Sequence, residues 1–219
     1  MSFLKFFRGG GTHSAEAQNQ AERISRRSNG LGELSRQLAR EGGCSILDLG
    51  PTSAANITYF TNLGTRTYTE DILRASREPQ YLTTTAEGQE VVDPDKFLAE
   101  NLNFEAEQFD AVLCWDVSDY LSESLVKPVV ARLHKVVKPG GLLLAFFHTK
   151  DAGADAPYHR YHIVDRDTLQ LQRMPVSNDP NFKLQRVFNN RHIENLFREF
   201  GSIKFFLGRD NIREVLVVR

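Results

Sequence analysis

Acidic residues follow the first two strand-like runs of the chain, of which the first is mostly apolar and the second is residues 65–69, at positions where carboxylates can bind a ligand. Asp48 closes the first run and is soon followed by Gly50, while Glu70 and Asp71 close the second run. A segment with helical spacing separates the two runs, which predicts a β-turn-α-β unit with acids at both strand ends. In an open α/β sheet such strand ends line the ligand crevice. A carboxylate at the second strand end can accept hydrogen bonds from two ribose hydroxyl groups.

The turn after Asp48 offers a second kind of binding group. Thr52 and Ser53 stand at the predicted start of a helix over residues 53–63. Unpaired N–H groups and the helix dipole favour a carboxylate ligand at such a position. Asp48 can either anchor this turn or bind an ammonium group. S-adenosylmethionine carries a carboxylate, an ammonium group and a ribose diol, so the three features together fit this cofactor.

The rest of the chain alternates between strands and helices. A buried strand over 109–114 ends at Trp115 and Asp116, a helical face follows over 126–137, and residues 142–147 are too apolar for anything but a central strand. This alternation predicts a parallel sheet with helices on both faces. A third strand expected between residues 75 and 108 cannot be located from the pattern.

Two later segments depart from this alternation. Residues 158–173 change to a period of two, which predicts a β-hairpin inside an insertion at about 151–185. Residues 203–207 and 214–218 predict two final strands joined by a few residues. Such a short connection permits only antiparallel pairing, since a parallel crossover needs a dozen residues or more.

The order of these motifs resembles the class I S-adenosylmethionine-dependent methyltransferase family, from about Cys44 to the C-terminus. ILDLGPTSA (46–54) resembles the family's first motif, and TEDI (69–72) is similar to the acidic end of its second strand. FDAVLCWDVSDYL (109–121) resembles the fourth-strand motif, and LHKVVKPGGLLLAFFH (133–148) the helix-turn-fifth-strand motif. The resemblance implies a Rossmann-like α/β fold with a mostly parallel sheet, a reversed C-terminal strand and helices on both faces.

The resemblance also implies which residues bind S-adenosylmethionine. AENLNF, which contains Leu102, resembles the family's adenine-side segment. The expected cofactor-binding residues are Asp48, Gly50, Pro51, Thr52, Ser53, Ala54, Glu70, Asp71, Ile72, Leu102 and Trp115. Asp116 and His148, at the ends of the fourth and fifth strands, are expected on the side of the methyl acceptor. The activated cofactor needs alignment more than acid–base machinery, so no catalytic triad is expected.

Two departures from the family pattern support an alternative function. The family's second and third glycines fall at Thr52 and Ala54, so only Gly50 matches, and Leu98 replaces an acid. The β-branched Thr52 must point away from the cofactor, donate its hydroxyl to it, or block it. A catalytically inactive methyltransferase-like binding or interaction module is therefore the alternative to an enzyme. A nicotinamide-dependent oxidoreductase is weaker, because G-x-G-x-x-G is absent after the first strand.

Some candidate residues also have purely structural interpretations. Asp71 can cap a helix that starts at Ile72, and Asp116 can cap the turn that follows it. The cluster Tyr158, His159, Tyr161 and His162 alternates along the predicted hairpin and contains no acid. It is predicted to form a surface or a lid rather than a metal site, and no metal is expected elsewhere.

Composition and charge limit the classes of partner. The chain has 27 basic and 28 acidic residues, a balance that gives no electrostatic basis for nucleic-acid binding and leaves a small-molecule acceptor. Its two cysteines, Cys44 and Cys114, lie in apolar runs without CxxC spacing, which suits a reducing, cytoplasmic compartment. The apolar N-terminus is interrupted at Lys5 and Arg8, so neither a targeting signal nor stable membrane insertion is predicted. Oligomeric state has no signal in the sequence.

The chain is predicted to divide into two parts. Residues 1–43 form an arm followed by a helical pattern over 14–40, which Asn29 and Gly30 are predicted to break. Residues 44–219 form the α/β domain, with the hairpin inserted in it.

Overall fold

The computed structural model describes residues 23–39, 43–149, 157–174, 182–208 and 211–219. The predicted N-terminal arm and the outer parts of the predicted insertion lie outside these residues. Within the described residues, no helix is long and apolar enough to cross a membrane.

Strands and helices alternate through the middle of the chain. In chain order the strands are β1 (Arg23–Arg27), β2 (Ser45–Asp48), β3 (Arg66–Thr69), β4 (Leu82–Thr84), β5 (Glu90–Val92), β6 (Phe109–Trp115), β7 (Val137–His148), β8 (His159–Asp165), β9 (Thr168–Arg173), β10 (Ser202–Leu207) and β11 (Ile212–Val218). The helices are α1 (Asn29–Leu38), α2 (Ala54–Asn62), α3 (Ile72–Ala75), α4 (Pro94–Asn101), α5 (Val117–Tyr120), α6 (Glu123–Val136) and α7 (Asn190–Leu196).

Six strands form the central sheet, in the order β10-β11-β7-β6-β2-β3. β2 is parallel to β3 and β6, and β6 is parallel to β7, whereas β11 is antiparallel to both β7 and β10. The predicted fold class, with its reversed C-terminal strand, is confirmed. β11 is antiparallel to β10 because the connection over residues 208–211 is too short to return the chain for a parallel strand.

The sheet carries a hydrophobic core on each face. One core packs α4, α6 and α7 against the sheet and includes Phe97, Leu133 and Ile193. The other packs α1, α2 and strands β8 and β9 against the opposite face and includes Leu34 and Phe60. Every residue named here is fully buried, so the helices on both faces belong to the folded core.

The third parallel strand, expected from topology, is absent from the described part of residues 75–108. β4 and β5 pair with each other instead and form a separate antiparallel hairpin. β3 is consequently the edge strand of the central sheet. Three residues of each strand are paired, from Leu82 opposite Val92 to Thr84 opposite Glu90.

A second sheet, in the order β1-β9-β8, contains the predicted hairpin and one unexpected strand. β8 and β9 are antiparallel, with Tyr161 opposite Leu171. Residues Arg23–Arg27 were predicted to be helical, and that prediction is wrong, because they pair with β9 as β1. This polar segment has no strand pattern of its own, and the long-range pairing with β9 overrides its local helical spacing.

Helix α1 begins at Asn29, the first of the two residues at which the helical pattern was predicted to break. Ser28 caps the helix by accepting a hydrogen bond from the backbone N–H of Leu31, and Gly30 lies inside the first turn. A Cβ at Gly30 would lie 2.7 Å from Leu144 Cδ1 and 2.9 Å from a carboxylate oxygen of Glu214. This glycine therefore allows α1 to approach the sheet closely rather than ending the helix.

A buried ion pair links β1 to the central sheet. Arg26 Nη2 lies 2.8 Å from Glu214 Oε1, and the two side chains are 6% and 3% exposed. Glu214 Oε2 also accepts hydrogen bonds from the backbone N–H of Gly30 and the hydroxyl of Ser28. The guanidinium of Arg26 lies over the ring of Phe146 at 4.9 Å. The start of the described chain is thus held to β7 and β11 by charge, hydrogen bonds and ring contact.

Candidate functional site

Four parallel strands end side by side at one edge of the sheet. β2 and β3 end at Asp48 and Thr69, and β6 and β7 end at Trp115 and His148. The chain leaves β2 towards β3 on one side and returns to β6 on the other, so strand order reverses between β2 and β6. In open α/β sheets this reversal opens a crevice at the carboxyl ends of the strands. The sequence-predicted site residues surround this point.

Asp48 anchors the turn after β2. Its Oδ1 accepts a hydrogen bond of 2.6 Å from Trp115 Nε1–H, and its Oδ2 accepts one of 2.8 Å from the side-chain amide of Asn56. The backbone N–H of Gly50 also donates to Oδ1. Burial raises the pKa of Asp48, and these hydrogen bonds act against that rise. Of the two roles predicted for Asp48, the structure shows the turn anchor.

The indole of Trp115 covers Gly50. A Cβ at Gly50 would lie 2.9 Å from Trp115 Cδ1, so a glycine is needed for this contact. Trp115 has a φ of +46°, a strained conformation for a bulky residue. Tyr161 stacks on its indole with ring centroids 4.9 Å apart and planes 6° apart. Residues whose strained backbone is held in place by packing are found mainly at functional sites.

Gly50→Ala is expected to destabilise the protein by about 1–3 kcal/mol, because the added methyl group overpacks the Trp115 contact. Denaturant unfolding followed by circular dichroism measures this. Gly201→Ala is the control, because a Cβ at Gly201 would meet its nearest atom at an ordinary 3.6 Å. Equal stability of the two variants would show that the indole moves aside at no cost.

Ser53 caps the N-terminus of helix α2 and contacts the hairpin. Its hydroxyl accepts from the backbone N–H of Asn56 and lies 2.8 Å from Nδ1 of His162. Thr52 and Ala54, on either side of Ser53, are exposed, and no described residue forms a hydrogen bond with the Thr52 side chain. Pro51 is buried in the turn. The helix N-terminus therefore faces the crevice with small or exposed side chains around it.

Glu70 and Asp71 follow β3 at the side of the crevice. Asp71 Oδ1 accepts from the backbone N–H of Arg74 and caps helix α3, as its structural interpretation predicted. No described residue donates a hydrogen bond to Asp71 Oδ2. Burial raises the pKa of Asp71, while the positive charges of Arg74 and Arg160 act against that rise. Burial also raises the pKa of the partly exposed Glu70.

Asp116 is the most deeply buried acid at the strand ends. Its side chain has no exposed surface, and Oδ2 accepts a hydrogen bond of 2.9 Å from the hydroxyl of Tyr161. Oδ1 has no hydrogen-bond partner among the described residues. Burial raises the pKa of Asp116 to about 6, although nearby His148 acts against that rise. Asp116 makes no side-chain cap to α5, so the capping interpretation does not hold.

His148 is held by Asp119, one turn beyond Asp116. Asp119 Oδ2 lies 2.8 Å from His148 Nδ1 and accepts a second hydrogen bond from the backbone N–H of the same histidine. Asp119 is fully buried, and its Oδ1 has no partner among the described residues. Burial raises the pKa of Asp119, and the hydrogen bonds from His148 act against that rise. The ring of His148 is thus fixed in orientation beside Asp116.

The hairpin covers the crevice, which makes it a lid rather than a free surface. Asn56 connects it to α2 by donating to the carbonyl of Tyr161 and accepting from the N–H of Ile163. Tyr158 is buried, and its pKa is raised by burial and by the nearby carboxylates of Asp71 and Asp116. No group of three or more His, Cys, Asp or Glu among the described residues is arranged to hold a metal ion.

Ile72 and Leu102 lie apart from the exposed crevice. Both side chains are fully buried in the core that packs α4 and α6 against the sheet. The carbonyl of Leu102 accepts a hydrogen bond of 2.8 Å from Arg132. In this conformation neither side chain presents surface to a ligand.

Sequence reasoning missed three residues of the site. Asn56 lies three residues after Ser53 in the first turn of α2, and Asp119 lies three residues after Asp116, so both pairs share a helical face. That spacing was a usable signal. Arg160, next to Tyr161 on β8, had no such signal, because an alternating strand does not say which of its faces meets the crevice.

Comparisons with known proteins agree with this architecture. A family model described as a methyltransferase domain matches residues 18–202. None of the curated proteins matches the sequence. Among solved structures, the chain is similar to 1,6-didemethyltoxoflavin-N1-methyltransferase of Burkholderia thailandensis, which contains 1,6-didemethyltoxoflavin and S-adenosylhomocysteine; identity is 13%, coverage 87% of this chain and 76% of that chain, and TM-score 0.50.

Two archaeal structures are also similar. An S-adenosylmethionine-dependent methyltransferase from Archaeoglobus fulgidus has 9% identity, with 86% of this chain and 94% of that chain covered at a TM-score of 0.49. One from Methanosarcina mazei has 14% identity, with 84% and 96% covered at a TM-score of 0.47. At these identities the similarity concerns the fold alone.

Proposed function

Because this chain belongs to the methyltransferase-domain family, we propose that it transfers a methyl group from S-adenosylmethionine to a small-molecule acceptor. S-adenosylmethionine is the cofactor, and when bound it supplies a methyl group already activated on a sulfonium sulfur. The residues of this chain have to bind it, align the acceptor and exclude water. The crevice at the ends of β2, β3 and β6 is the proposed site for both.

The residues around the crevice suit the cofactor at two points. The acid Asp71, with an oxygen that no described residue bonds, is assigned to the ribose hydroxyls, and Glu70 lies beside it. The start of α2, at Thr52, Ser53 and Ala54, is assigned to the methionine part. Both oxygens of Asp48 already accept hydrogen bonds within the protein, so Asp48 is assigned only the turn. Gly50 is assigned the Trp115 contact.

Asp116 carries the proposal that the protein is an enzyme. It is a fully buried carboxylate with one oxygen lacking a partner among the described residues, at the switch point of the sheet. A buried carboxylate oxygen without a hydrogen-bond donor is costly, and an inert scaffold gains nothing from keeping it. With its pKa raised to about 6, Asp116 is ionised at neutral pH yet basic enough to accept a proton.

The proposed division of roles follows from these contacts. Asp116 accepts the proton that an O–H or N–H group of the acceptor loses as that group takes the methyl. Tyr161 holds the carboxylate in place through its hydrogen bond. His148, fixed by Asp119, lies at the acceptor side and orients the acceptor. The lid formed by Tyr158 and Tyr161 keeps water from the reacting atoms.

Binding of S-adenosylhomocysteine, measured by calorimetry, tests the function. The wild-type protein is expected to bind it, and Asp71→Ala is expected to weaken binding by about ten- to a hundredfold, through the loss of hydrogen bonds to a charged acceptor. Glu70→Ala is expected to do less. Asp71→Ser is the matched control, since serine retains the cap of α3 but not the paired oxygens.

The two Asp71 variants separate binding from folding. Equal loss of affinity in both supports the assignment to ribose, whereas loss in Asp71→Ala alone assigns Asp71 only to the cap. If the wild-type protein binds no S-adenosylhomocysteine at millimolar concentration, the enzyme hypothesis is wrong. The inactive methyltransferase-like module then takes its place.

A further inference from the structure

Arg160 of the hairpin is a cation at the mouth of the crevice that forms no ion pair with any residue the structure describes. Its side chain is half-buried, and its Nε is sealed from solvent and has no hydrogen-bond acceptor among the described residues. Leaving a buried charged donor unpaired is costly. An anion that the protein does not itself supply is therefore expected beside it.

Strand geometry places Arg160 over the start of α2. Successive residues of a strand point to opposite faces, so Arg160 and His162 share one face of β8, while Tyr161 lies on the other. His162 on that face contacts the hydroxyl of Ser53, the residue that caps α2. Arg160 is two residues away along the strand, or roughly 6–7 Å.

The other side of Arg160 is occupied by acids. Asp71 is close enough for the charge of Arg160 to lower its pKa, but the two side chains form no ion pair within 4.0 Å. The pKa of Tyr158, two residues before Arg160, is raised by burial and by the charges of both Asp71 and Asp116. The guanidinium thus lies between the residue assigned to the ribose and the helix start assigned to the methionine part.

We propose that Arg160 binds the carboxylate of the methionine part of the cofactor. This inference rests on the proposed function. The carboxylate is the only anionic group of S-adenosylmethionine, whose ammonium and sulfonium groups are both positive. A guanidinium recognises a carboxylate with two parallel hydrogen bonds. The hairpin would then contact the cofactor next to the turn in which Thr52 and Ala54 stand at the positions of two glycines of the family pattern.

A pair of ligands and a pair of variants test the assignment by calorimetry. The ligands are S-adenosylhomocysteine and its decarboxylated analogue, which retains the adenosine, the sulfur and the ammonium group. Arg160→Gln is expected to weaken binding of S-adenosylhomocysteine about ten- to a hundredfold and to leave the analogue nearly unchanged. Arg166→Gln, at the exposed turn of the same hairpin, is the control and should change neither affinity.

The pattern of losses distinguishes the outcomes. Equal loss of affinity for both ligands would mean that Arg160 acts on Asp71 or on the fold of the hairpin. Unchanged affinity for both ligands would exclude Arg160 from the site. Either result overturns this inference and leaves the proposed function standing. If Arg160→Gln fails to fold, Arg160→Lys is the second variant, because it retains the charge. It should bind S-adenosylhomocysteine less tightly than the wild-type protein does, and its affinity for the analogue should be unchanged. Failure of the wild-type protein to bind either ligand would overturn the proposed function itself.

Discussion

Asp116→Asn is expected to reduce methyl transfer by about 10²–10⁴-fold, the usual contribution of a positioned general base. Asparagine retains the shape of the side chain and can still accept the hydrogen bond from the Tyr161 hydroxyl. It cannot accept the acceptor's proton. The loss should therefore appear in kcat, while the affinity for S-adenosylhomocysteine stays close to that of the wild-type protein.

The pH dependence of the wild-type rate gives the same assignment independently. Asp116 accepts a proton only when it is ionised, and burial raises its pKa to about 6. The rate should therefore fall as the pH drops below about 6 and reach a plateau above it. Asp116→Asn should lose this step, whereas Asp95→Asn, an exposed acid on α4, should retain it. A step that survives in Asp116→Asn would assign the titration to another group.

Stability should change in the opposite direction from activity. The folded protein holds a proton on Asp116 up to a pH of about 6, whereas an unfolded aspartate loses it near its ordinary pKa. Stability is therefore lost as the pH rises from about 4 to about 6. Asp116→Asn removes this penalty, so it should be the more stable protein at pH 7, by at most about 3 kcal/mol, and equal to wild type near pH 4. Thermal unfolding across this pH range measures the difference.

Arg26→Met is expected to lower the free energy of unfolding by about 3–5 kcal/mol. Methionine fills much of the same volume, but it leaves the charge of Glu214 buried without its cation. The hydrogen bonds from Gly30 and Ser28 to Glu214 would remain. The contact of the guanidinium with the Phe146 ring would be lost as well. Denaturant unfolding at neutral pH measures the change.

Two further variants show whether the buried charge is the cause. Arg27→Met, on the neighbouring position of β1, removes a pair of 3.6 Å whose arginine side chain is 82% exposed, and should cost less than about 1 kcal/mol. Adding Glu214→Gln to Arg26→Met neutralises the remaining charge and should recover part of the loss. If the double variant is less stable than Arg26→Met, the attachment of β1 depends on packing rather than on charge.

Local sequence patterns were enough to predict the alternation of strands and helices, the reversal of the last strand and the strand ends that line the crevice. Apolar runs ending at Asp48 and at Trp115 predicted two central strands, because burial on both faces requires continuous apolar strands, and the acids after residues 65–69 indicated a third strand end. The short connection between the last two strands determined the reversal of β11, because chain length alone prohibits a parallel return. The alternation over 158–173 likewise predicted the hairpin. These features depend on residues near one another in the chain.

Contacts between distant segments of the chain determine which side chains meet inside the crevice. The hydrogen bond between Asp48 and Trp115 joins residues 67 positions apart, and that between Asn56 and Ile163 joins residues 107 positions apart. Periodicity says which face of an element is buried, but not which distant side chain lies against it. Likewise, only the packing of the end of β6 against the turn after β2 reveals that Gly50 is covered by the indole of Trp115.

Long-range interactions also overrode two predictions made from local patterns. Residues Arg23–Arg27 have helical spacing, yet they form β1 because β9 offers them an open edge and Glu214 offers Arg26 a counter-ion. Asp116 has the sequence context of a helix cap, yet it is buried with an unpartnered oxygen among the described residues. Backbone pairing, burial and charge pairing arise between distant segments, and their free energies exceed the few tenths of a kcal/mol per residue, roughly, by which local propensities differ.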